Sequence, residues 1–301
     1  MSDAALVKPP ALGRPEMILR LAVNAMFWAS GFIFMKMMTG AVSPVGLSAA
    51  RATVAASALA AFWLMRGELP FPERREIVPW AVLGTLNGWI PNILTAYALT
   101  QITAASSAMI QASGPLMVAV MAHFAFAEER LTPGRIFGVV LGFVGMAILI
   151  GPAAFVEGGG TAIGAAAMTA VAVCYAFGSI YARRLEGFRP ARLALGQQCF
   201  SAVVALPLVF LLEGTAALDA FAANAGLLIA LGTLSTAIPI SMFMWMIARA
   251  GPTRAVMVGY LMPIFATSFA VMFLGEHVGL REFAGGCVIL AGVWLVSATK
   301  R

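Results

Sequence analysis

The chain has 301 residues, of which 61% are apolar and only 11% are charged, and its mean hydropathy is +0.92. Soluble domains carry roughly 25% charged and about 45–50% apolar residues, so this composition excludes an ordinary soluble protein. The three cysteines, Cys174, Cys199 and Cys287, are scattered through apolar stretches and have the spacing of neither a disulfide framework nor a metal site. The composition indicates an integral membrane protein.

Apolar runs recur along the whole chain, separated by short breaks that contain turn residues and charges. A helix that crosses a bilayer needs about 20 predominantly apolar residues. After a polar tail at residues 1–16, the first run is too long for the core of a signal peptide, so we interpret it as a spanning helix. The sequence predicts ten spans, at 17–38, 44–65, 77–99, 104–126, 134–151, 162–182, 193–212, 225–248, 254–274 and 282–299.

The basic residues fall almost entirely on one side of this predicted topology. With the N-terminus in the cytoplasm, sixteen of the nineteen lie in cytoplasmic segments, Lys36 and Arg281 lie on the other side, and Arg51 lies within a span. By the positive-inside rule, we expect both termini in the cytoplasm. Lys36 is interpreted as an interfacial anchor. The net charge of +6 then reflects topology, and we expect no nucleic-acid partner.

The second half of the chain repeats the first at an offset of 147 or 148 residues. The string Gly-Thr-Leu-x-x-x-Ile-Pro occurs at 84–91 and again at 232–239, and Glu129 matches Glu276, both at helix ends where we expect capping or salt bridges. Because each unit has five helices, an odd number, the second copy enters the membrane from the opposite side, as in many transporters. The predicted units are a first repeat at 17–152, a non-cytoplasmic linker at 153–160 and an inverted second repeat at 161–301.

Polar and aromatic side chains near the middle of the spans are candidates for a central substrate site, because such groups are costly against lipid. The candidates are Asn24, Trp28, Asn87, Gln111, Tyr175, Ser179, Ser235, Thr236 and Tyr260. Arg51, about 10 Å into its span at 1.5 Å per residue, is a further candidate, since a guanidinium can clamp a carboxylate. The alternatives are that Arg51 snorkels to the surface and that the polar groups only bond neighbouring helices.

Prolines and glycines recur in both halves. A proline removes a backbone N–H and frees a carbonyl one turn back, so prolines at mid-depth are candidate hinges. The candidate hinges are Pro91, Pro115, Pro239 and Pro263. Glycines at seven-residue spacing predict close helix packing. They are Gly138, Gly145, Gly285 and Gly292.

Several chemistries have no residues to support them in this sequence. No Asp or Glu lies deep in a predicted span, which disfavours proton antiport through a buried acid and disfavours a cationic substrate. The chain has two histidines and no P-loop, so we expect neither an ATP-driven pump nor an intramembrane enzyme, and we expect no metal or cofactor. A scaffold without transport activity remains an alternative, although it does not require polar groups and prolines at mid-depth in both halves.

The two five-helix repeats, the proline and terminal glutamate of the fourth and ninth spans and the paired glycines resemble the EamA family of the drug/metabolite transporter superfamily, and most of all its YddG-type amino-acid exporters. The resemblance implies an all-α membrane protein with ten transmembrane helices around a central cavity. It also implies alternating access and export of small metabolites, such as neutral and aromatic amino acids, across a bacterial inner membrane. Another metabolite, such as a nucleoside, a sugar derivative or a drug-like compound, is the alternative. We expect a monomer in the lipid bilayer.

Overall fold

The computed structural model describes residues 14–151, 160–185, 187–250, 252–255 and 257–298. Within these ranges the chain is almost entirely helical, without a β-strand. Nine helical segments are long and apolar enough to cross a membrane, and the tenth predicted span is a shorter apolar helix at Val258–Leu274. The predicted all-α architecture of ten spans is confirmed.

The helices follow the predicted spans in order. The first half contains α1 (Arg14–Met37), α2 (Pro44–Met65), α3 (Ile77–Gly84), α4 (Ile90–Gln101), α5 (Ala104–Gln111), α6 (Gly114–Ala125) and α7 (Pro133–Ile150). The second half contains α8 (Gly160–Arg183), α9 (Pro190–Glu213), α10 (Ala216–Ala223), α11 (Ala225–Gly232), α12 (Ile238–Ala250), α13 (Pro252–Ala255), α14 (Val258–Leu274) and α15 (Leu280–Ala298). The third span therefore comprises α3 and α4, the fourth α5 and α6, and the eighth α11 and α12.

The helix ends show why the breaks in the sequence act as breaks. Before α2, the Ser43 hydroxyl accepts a hydrogen bond of 2.9 Å from the Gly46 N–H, and Pro44 occupies the first helical position, where no N–H partner is needed. At a helix C-terminus, α9 ends before Gly214. The φ of Gly214 is 64°, a backbone conformation that favours a residue without a Cβ. Short, capped connections leave the spans as the body of the protein.

Some spans predicted as single helices are divided. The fourth, predicted at 104–126, breaks after α5, where the Ser113 N–H donates to the Ile110 carbonyl only three residues back, at 3.0 Å. Pro115 has no N–H to donate to the Gln111 carbonyl, so the α-helical ladder is interrupted at this point. The ninth span, predicted from residue 254, forms a long helix only from Val258. The predicted loop after residue 213 contains the short helix α10.

The third and eighth spans each contain one π-helical turn, within the repeated Gly-Thr-Leu-x-x-x-Ile-Pro string. These turns, Thr85–Trp89 and Thr233–Ala237, are named here the first and second π segments. In the second, the Ile238 N–H donates to the Thr233 carbonyl five residues back. A helix begins directly after each π segment, and its second residue is a proline, Pro91 in α4 and Pro239 in α12. The repeated string therefore produces a π-helical turn in both halves, and the first turn also contains a residue with non-helical dihedral angles, Gly88 (φ −127°, ψ −105°).

Equivalent helices of the two halves pack against each other. In the contact between α7 and α15, Gly138 lies against Gly292 and Gly145 against Gly285, an order that requires antiparallel helices. A Cβ on Gly145 would lie 2.6 Å from the Ile289 nitrogen, and one on Gly292 would lie 2.6 Å from the Gly138 oxygen. The predicted role of these glycines in close packing is confirmed, and the two repeats are inverted.

A buried ion pair ties α9 to the segment before α3. Glu76 and Arg192 are 4% and 5% exposed, and the Arg192 Nε donates to the Glu76 carboxylate at 3.0 Å. The Arg192 Nη1 and Nη2 atoms also donate to the carbonyls of Leu69 and Phe71, at 2.8 and 2.7 Å. This arginine of the second half therefore closes the loop between the second and third spans of the first half.

We expect Arg192→Ala to lower the free energy of unfolding by about 3–5 kcal/mol, because it leaves the Glu76 carboxylate buried without a counter-charge. The matched control is Arg189→Ala, which removes an arginine from the Glu68–Arg189 pair, whose side chains are 39% and 60% exposed. Solvent screens such an exposed pair, so its loss should cost far less than the loss of the buried pair. Unfolding of both variants in detergent, followed by tryptophan fluorescence, measures the difference. Equal losses would contradict the assignment.

Candidate functional site

Arg51, on α2, is held by residues from both halves of the chain. Its Nε donates to the Thr236 hydroxyl at 2.9 Å, in the second π segment, and its Nη1 lies 3.9 Å from the Met35 sulfur on α1. The Tyr175 hydroxyl, on α8, is close enough to interact with the charge of the guanidinium. Three residues that the sequence predicted separately therefore lie together, and we refer to Arg51, Tyr175 and Thr236 as the Arg51 cluster.

The Arg51 guanidinium has no acidic partner. It forms no ion pair with any carboxylate in the described part of the chain, and its Nη2 makes no hydrogen bond there. Thr236, 2% exposed, is itself fixed by a hydrogen bond of 2.8 Å to the Leu231 carbonyl, so it orients one edge of the guanidinium. The other edge is free to bind an anionic group through charge-assisted hydrogen bonds.

Asn87, in the first π segment, lies near this cluster. A Cβ on Gly178 of α8 would lie 2.0 Å from the Asn87 Oδ1, so the carboxamide packs directly on that glycine. Gly178 is three residues from Tyr175, and these two positions lie on neighbouring turns of one helix face. The Asn87 carboxamide makes no hydrogen bond with the residues described, so both its carbonyl and its amide group remain available.

Asn24 and Ser235 link α1 to the eighth span. The Asn24 side chain is fully buried, and its Nδ2 donates to the Pro239 carbonyl at 3.1 Å, whereas its Oδ1 has no partner. The Ser235 hydroxyl shares a hydrogen bond of 2.8 Å with the Ser30 hydroxyl, and Ser235 lies against Gly31 of α1. This contact is the counterpart, in the other half, of Asn87 on Gly178. Asn24 and Ser235 therefore hold α1, in the first half, against the eighth span, in the second half.

Four other predicted site residues form no hydrogen bond or ring contact with the side chains of Arg51, Tyr175 or Thr236 among the residues that the structure describes. Trp28 packs on Phe243 of α12 with ring centroids 5.2 Å apart, and Gln111 ends α5, half-buried, beside the break in the fourth span. Ser179 is exposed and donates to the Tyr175 carbonyl of its own helix at 2.7 Å. The Tyr260 hydroxyl donates to the Val293 carbonyl of α15 at 3.3 Å.

Three of the four candidate hinge prolines stand next to irregular backbone. Pro91 and Pro239 each follow a π segment, and Pro115 follows the break at residues 112–113. Pro263, the repeat partner of Pro115, lies inside the continuous helix α14. The hinge role of all four stays a prediction.

Opposite charges clamp the junction between α4 and α5 at one end of the bundle. Lys36 Nζ donates to the carbonyls of Leu99 and Ile102, at 2.6 and 3.0 Å, at the C-terminus of α4. Glu276 accepts hydrogen bonds of 2.8 and 3.1 Å from the first two N–H groups of α5. Each charge complements the helix dipole that it faces. Glu129, the repeat partner of Glu276, pairs with Arg183 at 2.8 Å, so both glutamates cap or bridge helix ends as predicted.

A cavity of about 350 Å³ opens beside this clamp. Its rim carries Lys36, Arg281 and Glu282, and its floor includes Ile110 and Leu149. None of the substrate-binding residues predicted from the sequence lines it. The sequence contained one signal for it, namely that Lys36 and Arg281 are the only two basic residues on the non-cytoplasmic side of the predicted topology.

Ten spans in two inverted repeats of five, with an arginine between the halves that has no acidic partner among the described residues, are typical of a membrane transporter. The model of the EamA-like transporter family matches the chain twice, over residues 16–151 and 162–298. The protein belongs to this family, which confirms the resemblance drawn from its repeats.

Two relatives that match about nine-tenths of the chain carry transporter names. The chain is 25% identical over 283 residues to a probable terminal-alkyne amino-acid exporter of Streptantibioticus cattleyicolor, covering 92% of each protein. It is 26% identical to the uncharacterized inner membrane transporter YedA of Escherichia coli, over 91% of this chain and 88% of YedA. A solved crystal structure superposes with a TM-score of 0.64 at 19% identity, covering 94% of this chain and 96% of the other, and shows the same fold.

Proposed function

We propose that the protein exports small molecules that carry a carboxylate, foremost neutral and aromatic amino acids, and that Arg51 binds the carboxylate. One observation carries the proposal: the guanidinium lies inside the second span, one edge bonded to Thr236, without an acidic partner in the described residues. An unpaired charge at this depth is costly unless a ligand compensates it. A carboxylate fits the free edge of a guanidinium with two parallel hydrogen bonds.

The neighbours of Arg51 suit the rest of an amino acid. The Tyr175 hydroxyl lies within electrostatic range of the guanidinium, and the Asn87 carbonyl oxygen accepts no hydrogen bond from the described residues, so it can accept one from an ammonium group. No acidic side chain of the described residues pairs with Arg51, so a cation without a carboxylate would meet the arginine charge with nothing to offset it. Asn24, Ser235, Ser179 and Tyr260 bond to other protein groups in this conformation, and we assign them to helix packing here.

Two further points of the proposal concern direction and setting. The sixteen basic residues on one side support cytoplasmic termini in a bacterial inner membrane, and the name of the Escherichia coli relative agrees with that membrane. The Streptantibioticus relative, a probable amino-acid exporter, supports both the substrate class and outward transport. The inverted repeats supply two interchangeable halves for alternating access around the Arg51 cluster, within a single chain.

Uptake into proteoliposomes of the purified protein tests the substrate class. We expect L-phenylalanine to be transported and 3-phenylpropanoate to compete with it, because both carry the carboxylate. Phenethylamine, which has the same ring and ammonium but no carboxylate, should not compete. An imposed pH gradient should leave the rate unchanged, because no acidic side chain of the described residues lies deep in a span. Transport of uridine with no flux of any amino acid would overturn the proposal, and protein-free liposomes give the background.

A further inference from the structure

The cavity beside the clamp lies apart from the Arg51 cluster. Its lining comes from α1, the α4–α5 junction, α7, α8 and the start of α15, and it includes neither Arg51 nor Tyr175 nor Thr236. We infer that this cavity is a second binding site, which takes a small molecule with a carboxylate and an apolar side chain. The inference does not depend on the role proposed for Arg51.

The rim of the cavity offers hydrogen-bond donors that nothing in the described chain uses. Arg281 donates to Glu282 at 2.8 Å through Nη2 only, so Nε and Nη1 remain free. The Ser106 hydroxyl accepts a hydrogen bond of 2.9 Å from Thr103 and keeps its own proton for a ligand. The Thr161 hydroxyl has no partner among the residues described. Arg281, Ser106 and Thr161 all line the same cavity, so their donors are available to one oxyanion there.

The charges around the cavity are balanced. Lys36 and Arg281 line it together with Glu282, which accepts a hydrogen bond from Arg281. Glu276 also interacts with Lys36, and it accepts hydrogen bonds from the N–H groups of α5 but keeps its negative charge. A carboxylate would therefore be bound through the unused N–H groups of Arg281 rather than through an excess of positive charge.

The size and floor of the cavity define the remainder of the ligand. A volume of about 350 Å³ lies at the lower end of the range for ligand pockets, which suits a molecule the size of an amino acid. The floor is apolar, with Ile110, Leu149 and Ala165, so it accepts a hydrocarbon or aromatic side chain. By the predicted topology, this end of the bundle faces away from the cytoplasm, on the side where an exported molecule leaves.

Equilibrium dialysis of radiolabelled 3-phenylpropanoate against the full chain in lipid nanodiscs tests the site. We expect Arg281→Gln to weaken binding at one class of sites at least tenfold, and Arg281→Lys to restore part of it. Thr161→Val, which removes a hydroxyl without changing charge, should weaken the same class about threefold. Thermal unfolding of each variant checks that it folds. Arg51→Gln should leave this class of sites intact.

The two proposals fail in different ways in this experiment. If Arg281→Gln and Thr161→Val both bind 3-phenylpropanoate as the unmodified protein does, the cavity is not a carboxylate site, whatever Arg51 does. If Arg51→Gln binds as many molecules of 3-phenylpropanoate per chain as the unmodified protein while Arg281→Gln binds fewer, the second site is supported and the role proposed for Arg51 is contradicted. Loss of about one bound molecule per chain in each single variant would support both.

Discussion

Arg51→Gln is expected to lower the kcat/KM for transport of a neutral amino acid by about 100-fold while leaving the protein folded. Charge-assisted hydrogen bonds are worth about 1.5–3 kcal/mol each, and the loss of two to a substrate carboxylate corresponds to at least that factor. Arg51→Lys keeps the charge but cannot bind a carboxylate through two parallel bonds, so we expect a loss of about 10-fold. Initial rates in proteoliposomes give both values.

The matched control for this prediction is Arg66→Gln. Arg66 caps the C-terminus of the same helix and stacks on Phe62, 4.8 Å from the ring centroid, so the variant removes one arginine from α2 outside the cluster. We expect transport within about twofold of the unmodified protein. Since Arg51 has no ion pair in the described residues, its removal leaves no acid unpaired, and thermal unfolding should change little. Unchanged transport in Arg51→Gln, or an equal loss in Arg66→Gln, would place Arg51 outside the substrate site.

Gly145→Val and Gly292→Val are each expected to lower the free energy of unfolding by about 3 kcal/mol or more. At both positions a new Cβ would lie 2.6 Å from backbone atoms of the facing helix. Backbone atoms cannot rotate out of the way as a side chain can, so α7 and α15 must separate and lose their packing. Thermal unfolding followed by size-exclusion chromatography, which reports the fraction of intact protein, measures the loss.

Gly259→Val is the matched control for the glycine substitutions. Gly259 lies in α14, and a Cβ there has no heavy atom within 4 Å apart from its own helix. The same substitution in a spanning helix should therefore cost less than about 1 kcal/mol. A loss at Gly259 as large as the losses at Gly145 and Gly292 would mean that β-branching, rather than the approach of two helices, sets the cost.

The spans, their order and the packing role of the glycines were predictable from the sequence because each depends on a local or periodic signal. Apolar length defines a span, and seven-residue spacing places two glycines on one helix face. The contacts themselves, Gly138 with Gly292 and Gly145 with Gly285, depend on the antiparallel arrangement of α7 and α15 and were visible only in the structure. The interruptions were not predictable in the same way. Pro91 and Pro115 indicated positions where a helix could be interrupted. Whether a proline stands at a helix end, follows a π turn or lies inside a continuous helix, as Pro263 does, depends on the helices packed around it.

The members of the Arg51 cluster were predicted individually from the sequence, whereas the cavity was not predicted. Arg51, Tyr175 and Thr236 were separate candidates by depth, and only helix rotation and the crossing of the two halves bring them together. The cavity combines residues from the ends of several helices, such as Lys36, Ser106, Thr161 and Arg281, far apart along the chain. No periodicity joins such positions, and donor groups at helix ends usually bond to water or carbonyls, so their convergence becomes visible only in three dimensions.

The fourth and ninth spans, which are copies of one unit, are divided at different points. The first copy is interrupted at residues 112–113, so that Pro115 stands near the start of a helix. In the second copy the long helix begins at Val258, which corresponds to Ile110, and Pro263 lies well inside it. One motif thus takes two backbone shapes in a single molecule, separated by about one helical turn. The motif alone therefore does not fix where its span is interrupted. Moving the interruption of the fourth span by about one turn toward its start would give that span the backbone of the ninth.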